Sequence, residues 1–182
     1  MPRLFVAIDL PEKLKESLGA LPGQFEGARW IKPEQIHLTI LFIGETNAAS
    51  EIRSALSMVD GAPFELAVTG VGCFPEDARK AARVLWAGLT APEAFLLLRE
   101  QVRSALTPLR LPSDPAPFAA HITLARIPRG NERTNRMARQ FLSLNAGLHS
   151  EPFPVNEFRL LESQQTASGS RYTVLGTYQR SA

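Results

Sequence analysis

Two short stretches of nearly identical pattern, one in each half of the chain, constrain the fold of this 182-residue protein more than any other feature. The first is Ile36-His37-Leu38-Thr39-Ile40, and the second is Ala120-His121-Ile122-Thr123-Leu124. Side chains alternate between the two faces of a strand, so each pattern predicts a strand with a buried apolar face and an opposite face that carries a histidine and a threonine. The two polar faces are then free to meet across a cleft.

The rest of the sequence predicts helices and strands in which strands often follow one another directly. The predicted strands are Arg3–Asp9, Ile36–Ile43, Phe64–Phe74, Arg83–Leu89, His121–Ile127, Phe153–Leu161 and Tyr172–Tyr178, with a short extended piece at Arg29–Lys32. One predicted helix begins at Pro11-Glu12 and is stopped by Pro22-Gly23, and three others span Ala49–Val59, Pro92–Leu106 and Asn131–Leu142. The proline-rich stretch Leu111–Pro117 is predicted to be a loop. Successive strands favour an α+β fold with antiparallel sheet over a doubly wound parallel sheet.

Composition and charge exclude several classes of protein. The chain is 45% hydrophobic and 21% charged, which is typical of a globular domain. Its 20 Lys and Arg residues against 18 Asp and Glu residues give a formal net charge of +2, too small to hold a long nucleic-acid duplex. One local run of arginines indicates either a solvated helix face or a rim that attracts an anionic substrate. The run consists of Arg126, Arg129, Arg133, Arg136 and Arg139.

Other signals are weak or missing. No apolar run approaches the roughly 18–20 residues of a membrane span, and the N-terminus lacks the pattern of a signal peptide, so we expect a cytoplasmic protein. The single cysteine, Cys73, cannot form an intrachain disulfide and is interpreted as a small buried residue. Neither a GxGxxG nor a GxxxxGK[ST] loop occurs, which argues against nucleotide binding by those devices.

The chemistry of the matched stretches is that of paired proton transfer. Because free imidazole has a pKa of about 6.5, one histidine can be neutral near pH 7 while the other is protonated. The neutral ring takes a proton from a nucleophile, and the protonated ring gives one to a leaving oxygen. The hydroxyls of Thr39 and Thr123 would donate hydrogen bonds to the oxygens of a phosphate between them. The residues leave open which of His37 and His121 is the acid.

Two further residues are candidates for the same site, and the third histidine is not. Arg126 follows Thr123 by three positions, so a regular strand would direct it away from His121, and its participation requires a strand end or a β-bulge. Phe5, on the first predicted strand, is a candidate for stacking on an RNA base at the mouth of the cleft. His149 has no threonine two positions later and is interpreted as a surface or loop histidine.

These motifs resemble those of the two-histidine (2H) phosphoesterase superfamily, most closely the LigT-like RNA 2′,3′-cyclic phosphodiesterases, also called 2′-5′ RNA ligases. Trp30, the Arg126 that follows the second motif, and residues 3–11, 84–89, 161–163 and 169–172 are also similar to that family. Two positions depart from its pattern. Ala120 stands where the family commonly has proline, and Ile40 where it usually has leucine, but neither residue transfers protons or contacts phosphate.

The resemblance implies a single domain over residues 1–182 with a bilobal, pseudo-twofold α+β fold. In that fold two mainly antiparallel sheets flank a central cleft and the helices lie outside. The implied activity is metal-independent and cofactor-free hydrolysis of an RNA-terminal 2′,3′-cyclic phosphate to a 2′-phosphate, with reversible 2′-5′ RNA ligation. RNA ends or cyclic nucleotides would be the partners. By analogy His37 is the general acid and His121 the base, while Thr39, Thr123 and Arg126 hold the phosphate.

Two functions of other classes stay open at this point. A non-catalytic module that binds RNA or a nucleotide could share the fold, and the loss of a motif histidine or threonine would favour it, although all four are present. A metallohydrolase would need carboxylates and a third histidine at ligand spacing, and the sequence shows neither these nor an HExxH motif. The sequence identifies no protein partner.

Overall fold

Strands dominate the part of the chain that the computed structural model describes, which is residues 1–77, 79–90, 93–111, 118–167 and 169–181. The strands are β1 Arg3–Asp9, β2 Arg29–Trp30, β3 His37–Glu45, β4 Phe64–Phe74, β5 Val84–Thr90, β6 Ile122–Arg126, β7 Phe153–Val155, β8 Glu157–Thr166 and β9 Gly169–Gln179. The α-helices are α1 Glu12–Gly19, α2 Ala49–Leu56, α3 Glu93–Leu106 and α4 Glu132–Leu144. Single 3₁₀ turns occupy Pro33–Gln35 and Thr107–Leu109.

The strands follow the order β7-β4-β5-β6-β3-β1-β8-β9, and β2 pairs with β6 beside this path. Every strand pair is antiparallel. The path consists of two four-stranded halves, β7-β4-β5-β6 and β3-β1-β8-β9, which meet between β3 and β6. At this seam the ladder contains one residue pair, Leu38 with Ile122. The structure therefore confirms the predicted α+β fold with two antiparallel halves.

The core lies on one side of the strands and leaves the motif histidines on the other. Leu38, Ile40 and Ile122, the apolar residues of the two motif strands, are fully buried. They belong to one apolar cluster with the stripe of α3 that the helical spacing predicts, Phe95, Leu98, Val102 and Leu106. Helix α3 also packs against β3 and α2. The helices thus cover the apolar face, and the opposite face of the seam is free to form a site.

Most predicted elements are confirmed, and the differences have local causes. The predicted strand Phe153–Leu161 is two strands, because the chain leaves β4 after β7 and joins β1 and β9 as β8. The break falls at Asn156, whose carbonyl instead accepts a hydrogen bond from Arg180 N. Strand β3 passes through Gly44, expected to close it, because that glycine adopts a φ of 87°.

Two other boundaries differ from the prediction. Strand β6 begins at Ile122, so His121 lies just before it rather than within it. Helix α2 ends at Leu56 and not at Val59. The predicted helix start at Pro92 lies outside the described residues, as does the predicted loop from residue 112 to residue 117. Within the described part of the chain, no helix is both long enough and apolar enough to span a membrane.

Candidate active site

The seam between the two halves places both motifs on one face. Leu38 pairs with Ile122 in antiparallel register, so one step outward on either side His37 approaches Thr123 and Thr39 approaches His121. These four side chains share the face opposite Leu38 and Ile122, because neighbours along a strand point to opposite faces. In a regular antiparallel pair, diagonal neighbours such as the two histidines lie about 7–8 Å apart, which is enough for a phosphate group between them.

A β-bulge follows the threonine in each motif. In the first half, Ala7 pairs with Thr39 and Val6 pairs with Leu41, so Ile40 has no partner on β1. One extra residue reverses the alternation of side chains along the strand. Phe42, which a regular strand would place on the face opposite His37, therefore lies on the same face.

The second half repeats this arrangement. Trp86 pairs with Thr123 and Leu85 pairs with Ala125, so Leu124 is the unpaired residue. The bulge brings Arg126 to the same face as His121 and Thr123. It is the irregularity that the participation of Arg126 in the site requires. Arg126 lies close enough to both imidazoles that its charge lowers the pKa of His37 and that of His121.

Each motif imidazole is oriented by the backbone two residues earlier. His37 Nδ1 lies 2.7 Å from Gln35 O, and His121 Nδ1 lies 2.8 Å from Ala119 O. A carbonyl only accepts hydrogen bonds, so Nδ1 donates in both rings and Nε2 is left for the cleft. His149 Nδ1 makes the same contact with Gly147 O at 3.0 Å, but His149 is exposed and belongs to no comparable motif. The contact orients a ring without by itself marking a site.

The surroundings of the two imidazoles lower both pKa values. Burial is the main cause for His37, reinforced by Arg126 and His121, while the Gln35 carbonyl and the Asp9 carboxylate oppose it. Burial is again the main cause for His121, opposed by the Ala119 carbonyl and reinforced by Arg126. The charge of His121 lowers the pKa of His37, so the two rings interact electrostatically. Among the described residues, a carboxylate raises the pKa of His37 but none raises that of His121.

Asp9 is the source of that carboxylate and is held in place by two cations. Asp9 pairs with His37 across β1 and β3, so both side chains lie on the same face. Its Oδ1 lies 3.1 Å from Lys15 Nζ, and its Oδ2 lies 2.8 Å from Arg159 Nη1. Glu157 also pairs with Arg159, at 2.8 Å. This ion-pair cluster fixes the Asp9 carboxylate beside the first motif.

A cavity of about 810 Å³ opens over the motif face. Among its lining residues are His37, Thr39, Thr123 and Arg126, whereas His121 is not one of them. Among the lining residues that the motif analysis did not assign to the site are Arg29, Lys32 and Phe42. Of the described residues that line it, four are cationic and none carries a carboxylate. The cavity is therefore suited to an anion.

Aromatic rings surround His37 on one wall of the cavity. Phe5 lies 5.0 Å from the His37 ring, and Tyr172 meets His37 edge-on at 5.3 Å. Phe5 lines the cavity but is only 3% exposed, so little of its ring surface is free, and its stacking on a base stays a prediction. Phe42, 47% exposed, presents the apolar surface of this wall instead. Sequence spacing could not reveal Phe42, because its direction depends on the bulge.

The described residues contain no group of three or more His, Cys, Asp or Glu side chains that could hold a metal ion. Cys73 is half-buried, and burial raises the pKa of its thiol above the ordinary value. A thiol of this kind is protonated at neutral pH and is a weak nucleophile. The side chains that line the cavity include an imidazole, the hydroxyls of the two motif threonines and four cations.

Comparison with known proteins identifies the family of this chain. Residues 8–86 and 89–172 match the family described as LigT like phosphoesterase. The chain belongs to this family. An RNA 2′,3′-cyclic phosphodiesterase of Archaeoglobus fulgidus is 31% identical over 97% of this chain and 99% of its own length. One of Thermus thermophilus is 31% identical over 95% of this chain and 87% of its own length.

Solved structures of LigT-like phosphoesterases share the fold. Escherichia coli LigT complexed with 3′-AMP superposes with a TM-score of 0.79 at 26% identity, over 100% of both chains. A Thermus thermophilus protein superposes with a TM-score of 0.78 at 32% identity, over 97% of both chains. The resemblance read from the two motifs is thereby confirmed along almost the whole chain.

Proposed function

We propose that this LigT-like phosphoesterase is an RNA 2′,3′-cyclic phosphodiesterase that opens a terminal 2′,3′-cyclic phosphate to a 2′-phosphate. The observation that carries the proposal is the seam, where His37, Thr39, His121 and Thr123 share one face around the Leu38–Ile122 pair. The names of the relatives, RNA 2′,3′-cyclic phosphodiesterase, support the same substrate. The site straddles both halves of the sheet, so we treat residues 1–182 as one domain.

The reaction needs one proton taken and one proton given. In the proposed step His121 Nε2 accepts a proton from water as the water oxygen attacks phosphorus. The bond between phosphorus and O3′ breaks, and His37 Nε2 donates its proton to that oxygen, leaving a 2′-phosphate and a free 3′-hydroxyl. The same path with a ribose 5′-hydroxyl in place of water would form a 2′-5′ linkage.

The assignment of acid and base rests on the asymmetry between the two imidazoles. An acid must hold its proton before the reaction, and the Asp9 carboxylate, which raises the pKa of His37, favours the protonated ring. Arg126 lowers the pKa of both rings, and no carboxylate of a described residue raises that of His121, which favours the neutral ring that a base needs. This supports His37 as the acid and His121 as the base.

The remaining polar groups would stabilise the phosphate. Thr39 and Thr123 both line the cavity beside the opposite motif's histidine, where their hydroxyls can donate to the non-bridging oxygens. Arg126 adds a positive charge on the same face. Donors that are fixed before the reaction and aimed at developing negative charge lower the barrier without reorganising.

The proposal is tested by turnover of 2′,3′-cyclic AMP in the presence of a chelator, with the product identified by ³¹P NMR. The expected product is 2′-AMP, formed at a rate that the chelator leaves unchanged. Binding of the nucleotide without turnover would instead identify a non-catalytic binding module. Loss of turnover with the chelator, restored by a divalent metal, would identify a metallohydrolase. Formation of 3′-AMP would show that the bond to O2′ breaks instead.

A further inference from the structure

The cations that line the cavity include residues outside the phosphate site described above. Arg29 and Lys32 line the same cavity as Arg126, but they precede the first motif and belong to neither histidine strand. Both side chains are exposed at the surface. The proposed step at the cyclic phosphate assigns no role to these two cations.

Arg29 stands in an unfavourable position for an unoccupied protein. It pairs with Arg126 directly across β2 and β6, so two guanidinium groups share one face on adjacent strands. Like charges directly opposite each other in an antiparallel pair destabilise the sheet. Arg3, the fourth cation of the cavity, lies 3.7 Å from the Glu45 carboxylate, whereas no such ion pair with a described residue is found for Arg29. A second anion beside Arg29 would relieve the repulsion.

The backbone fixes this segment against the second motif. Ile31 N donates to Leu124 O at 2.9 Å, which extends the pairing of β2 beyond Trp30. Lys32 precedes Pro33, which restricts it to the extended conformation it adopts, and the 3₁₀ turn that follows leads directly to His37. Arg29 and Lys32 are therefore held at a defined place beside both motifs rather than on a free loop.

We infer that Arg29 and Lys32 form a subsite for a second phosphate, on the 5′ side of the nucleotide whose cyclic phosphate reacts. The inference rests on the proposed function and narrows its substrate class to RNA of two or more nucleotides. A nucleotide 5′-phosphate and an internucleotide phosphodiester present the same chemistry to the two cations, and the substrates below separate them.

The test compares kcat/KM for four substrates, all measured with the full chain. They are 2′,3′-cyclic AMP, the same nucleotide with a 5′-phosphate, a dinucleotide that ends in a cyclic phosphate, and that dinucleotide with a neutral methylphosphonate linkage. We expect the charged dinucleotide to exceed 2′,3′-cyclic AMP about tenfold or more, as charge-assisted hydrogen bonds to phosphate allow. The methylphosphonate should lose that advantage. The 5′-phosphorylated nucleotide should keep it if a terminal phosphate suffices.

Variants then locate the subsite. Arg29→Gln and the double variant with Lys32→Gln should reduce the ratio of kcat/KM for the charged dinucleotide to that for 2′,3′-cyclic AMP. Arg29→Gln should also reduce the dependence of log KM on log salt by about one unit of slope. Lys13→Gln, an exposed charge on α1, removes the same net charge and should preserve the ratio.

The outcomes separate this inference from the proposed function. Equal kcat/KM for all four substrates would overturn the subsite and leave the phosphodiesterase standing. A preference for the charged dinucleotide that survives in the double variant, or falls equally in Lys13→Gln, would also overturn it. Absence of turnover for every substrate would contradict the proposed function itself.

Discussion

The two halves of the sheet build the site with the same backbone device and different side chains. In each half a histidine is followed two residues later by a threonine, then by a one-residue bulge, and the fifth residue after the histidine returns to the cleft face. That fifth residue is Phe42 in the first half and Arg126 in the second. The repeated backbone fixes two matched pairs of histidine and threonine side chains on the cleft face. The unmatched fifth residues divide the cavity into an apolar wall and a cationic wall.

A second difference concerns charge beside the histidines. Asp9 lies two residues after Ala7, which pairs with Thr39, and Gly88 lies two residues after Trp86, which pairs with Thr123. A Cβ at Gly88 would lie 2.6 Å from Thr69 O, so the backbone there excludes any side chain. The carboxylate beside His37 thus has no counterpart beside His121. The proposed assignment of His37 as the acid and His121 as the base rests on this difference.

The largest effect is expected from removing either imidazole. His37→Ala and His121→Ala should each reduce kcat/KM for 2′,3′-cyclic AMP by about 10²–10⁴-fold, because each deletes one of the two proton transfers. The double variant should be only slightly less active than the less active single variant, because the effects of residues that act as one unit are not additive. Initial rates with purified variants, and thermal melts to confirm folding, check this.

His149→Ala is the matched control for that experiment. Its ring makes the same Nδ1 contact with a carbonyl two residues earlier, yet it is exposed and belongs to neither motif. Its turnover should equal that of the wild type. Near-normal turnover in either motif variant would show that its histidine is not needed for the reaction. The two halves would then not contribute equally to the chemistry.

A change in pH dependence is expected from Asp9→Asn. Asp9 raises the pKa of His37, so its loss lets that pKa fall further. An acid stops working as the pH rises through its pKa, and the high-pH limb of kcat/KM should therefore move to lower pH. The low-pH limb reports the base, His121, whose pKa shift has no contribution from Asp9, and it should stay in place.

Glu157→Gln is the control for the pH experiment. It removes a carboxylate from the same ion-pair cluster, through Arg159, but Glu157 does not contribute to the pKa shift of His37. Its profile should match that of the wild type. If Asp9→Asn moved the low-pH limb instead, the roles of His37 and His121 would have to be exchanged.

The two motif strands could be predicted from the sequence, whereas the directions of the side chains that follow the bulges could not. Alternation places His37 and Thr39 on one face from sequence alone, and the match of a second copy predicts the cleft. A bulge is a property of pairing between strands far apart in the chain, so the direction of Phe42 could not be predicted. The same limit applies to Arg126, for which the sequence established only that a bulge or strand end was needed.

The division of the C-terminal strand and the cationic wall show the same limit. The apolar pattern of Phe153–Leu161 is continuous, and only the change of partner strand separates β7 from β8. The pairing of Arg29 with Arg126 could not be predicted, because two residues of extended chain carry no signal of where they pair. Local patterns predicted elements, while long-range pairing determined which side chains meet.

The smallest effect is expected from the aromatic ring that meets each imidazole edge-on. Tyr172 contacts His37 at 5.3 Å and 90°, and Phe74 contacts His121 at 4.9 Å and 86°. Tyr172→Leu and Phe74→Leu should each lower kcat about two- to tenfold, the usual range of an edge-to-face pair, with KM little changed.

Phe74→Leu should be the more damaging of the two, because Phe5 remains against His37 when Tyr172 is replaced. Tyr172→Phe and Phe74→Tyr keep the rings and should restore the rate. Thermal melts of all four variants show whether a loss of rate comes instead from a loss of stability. An equal loss in both leucine variants would show that Phe5 does not support His37. The two halves would then be alike in how they hold their imidazoles, and would differ only in charge and in the residue after the bulge.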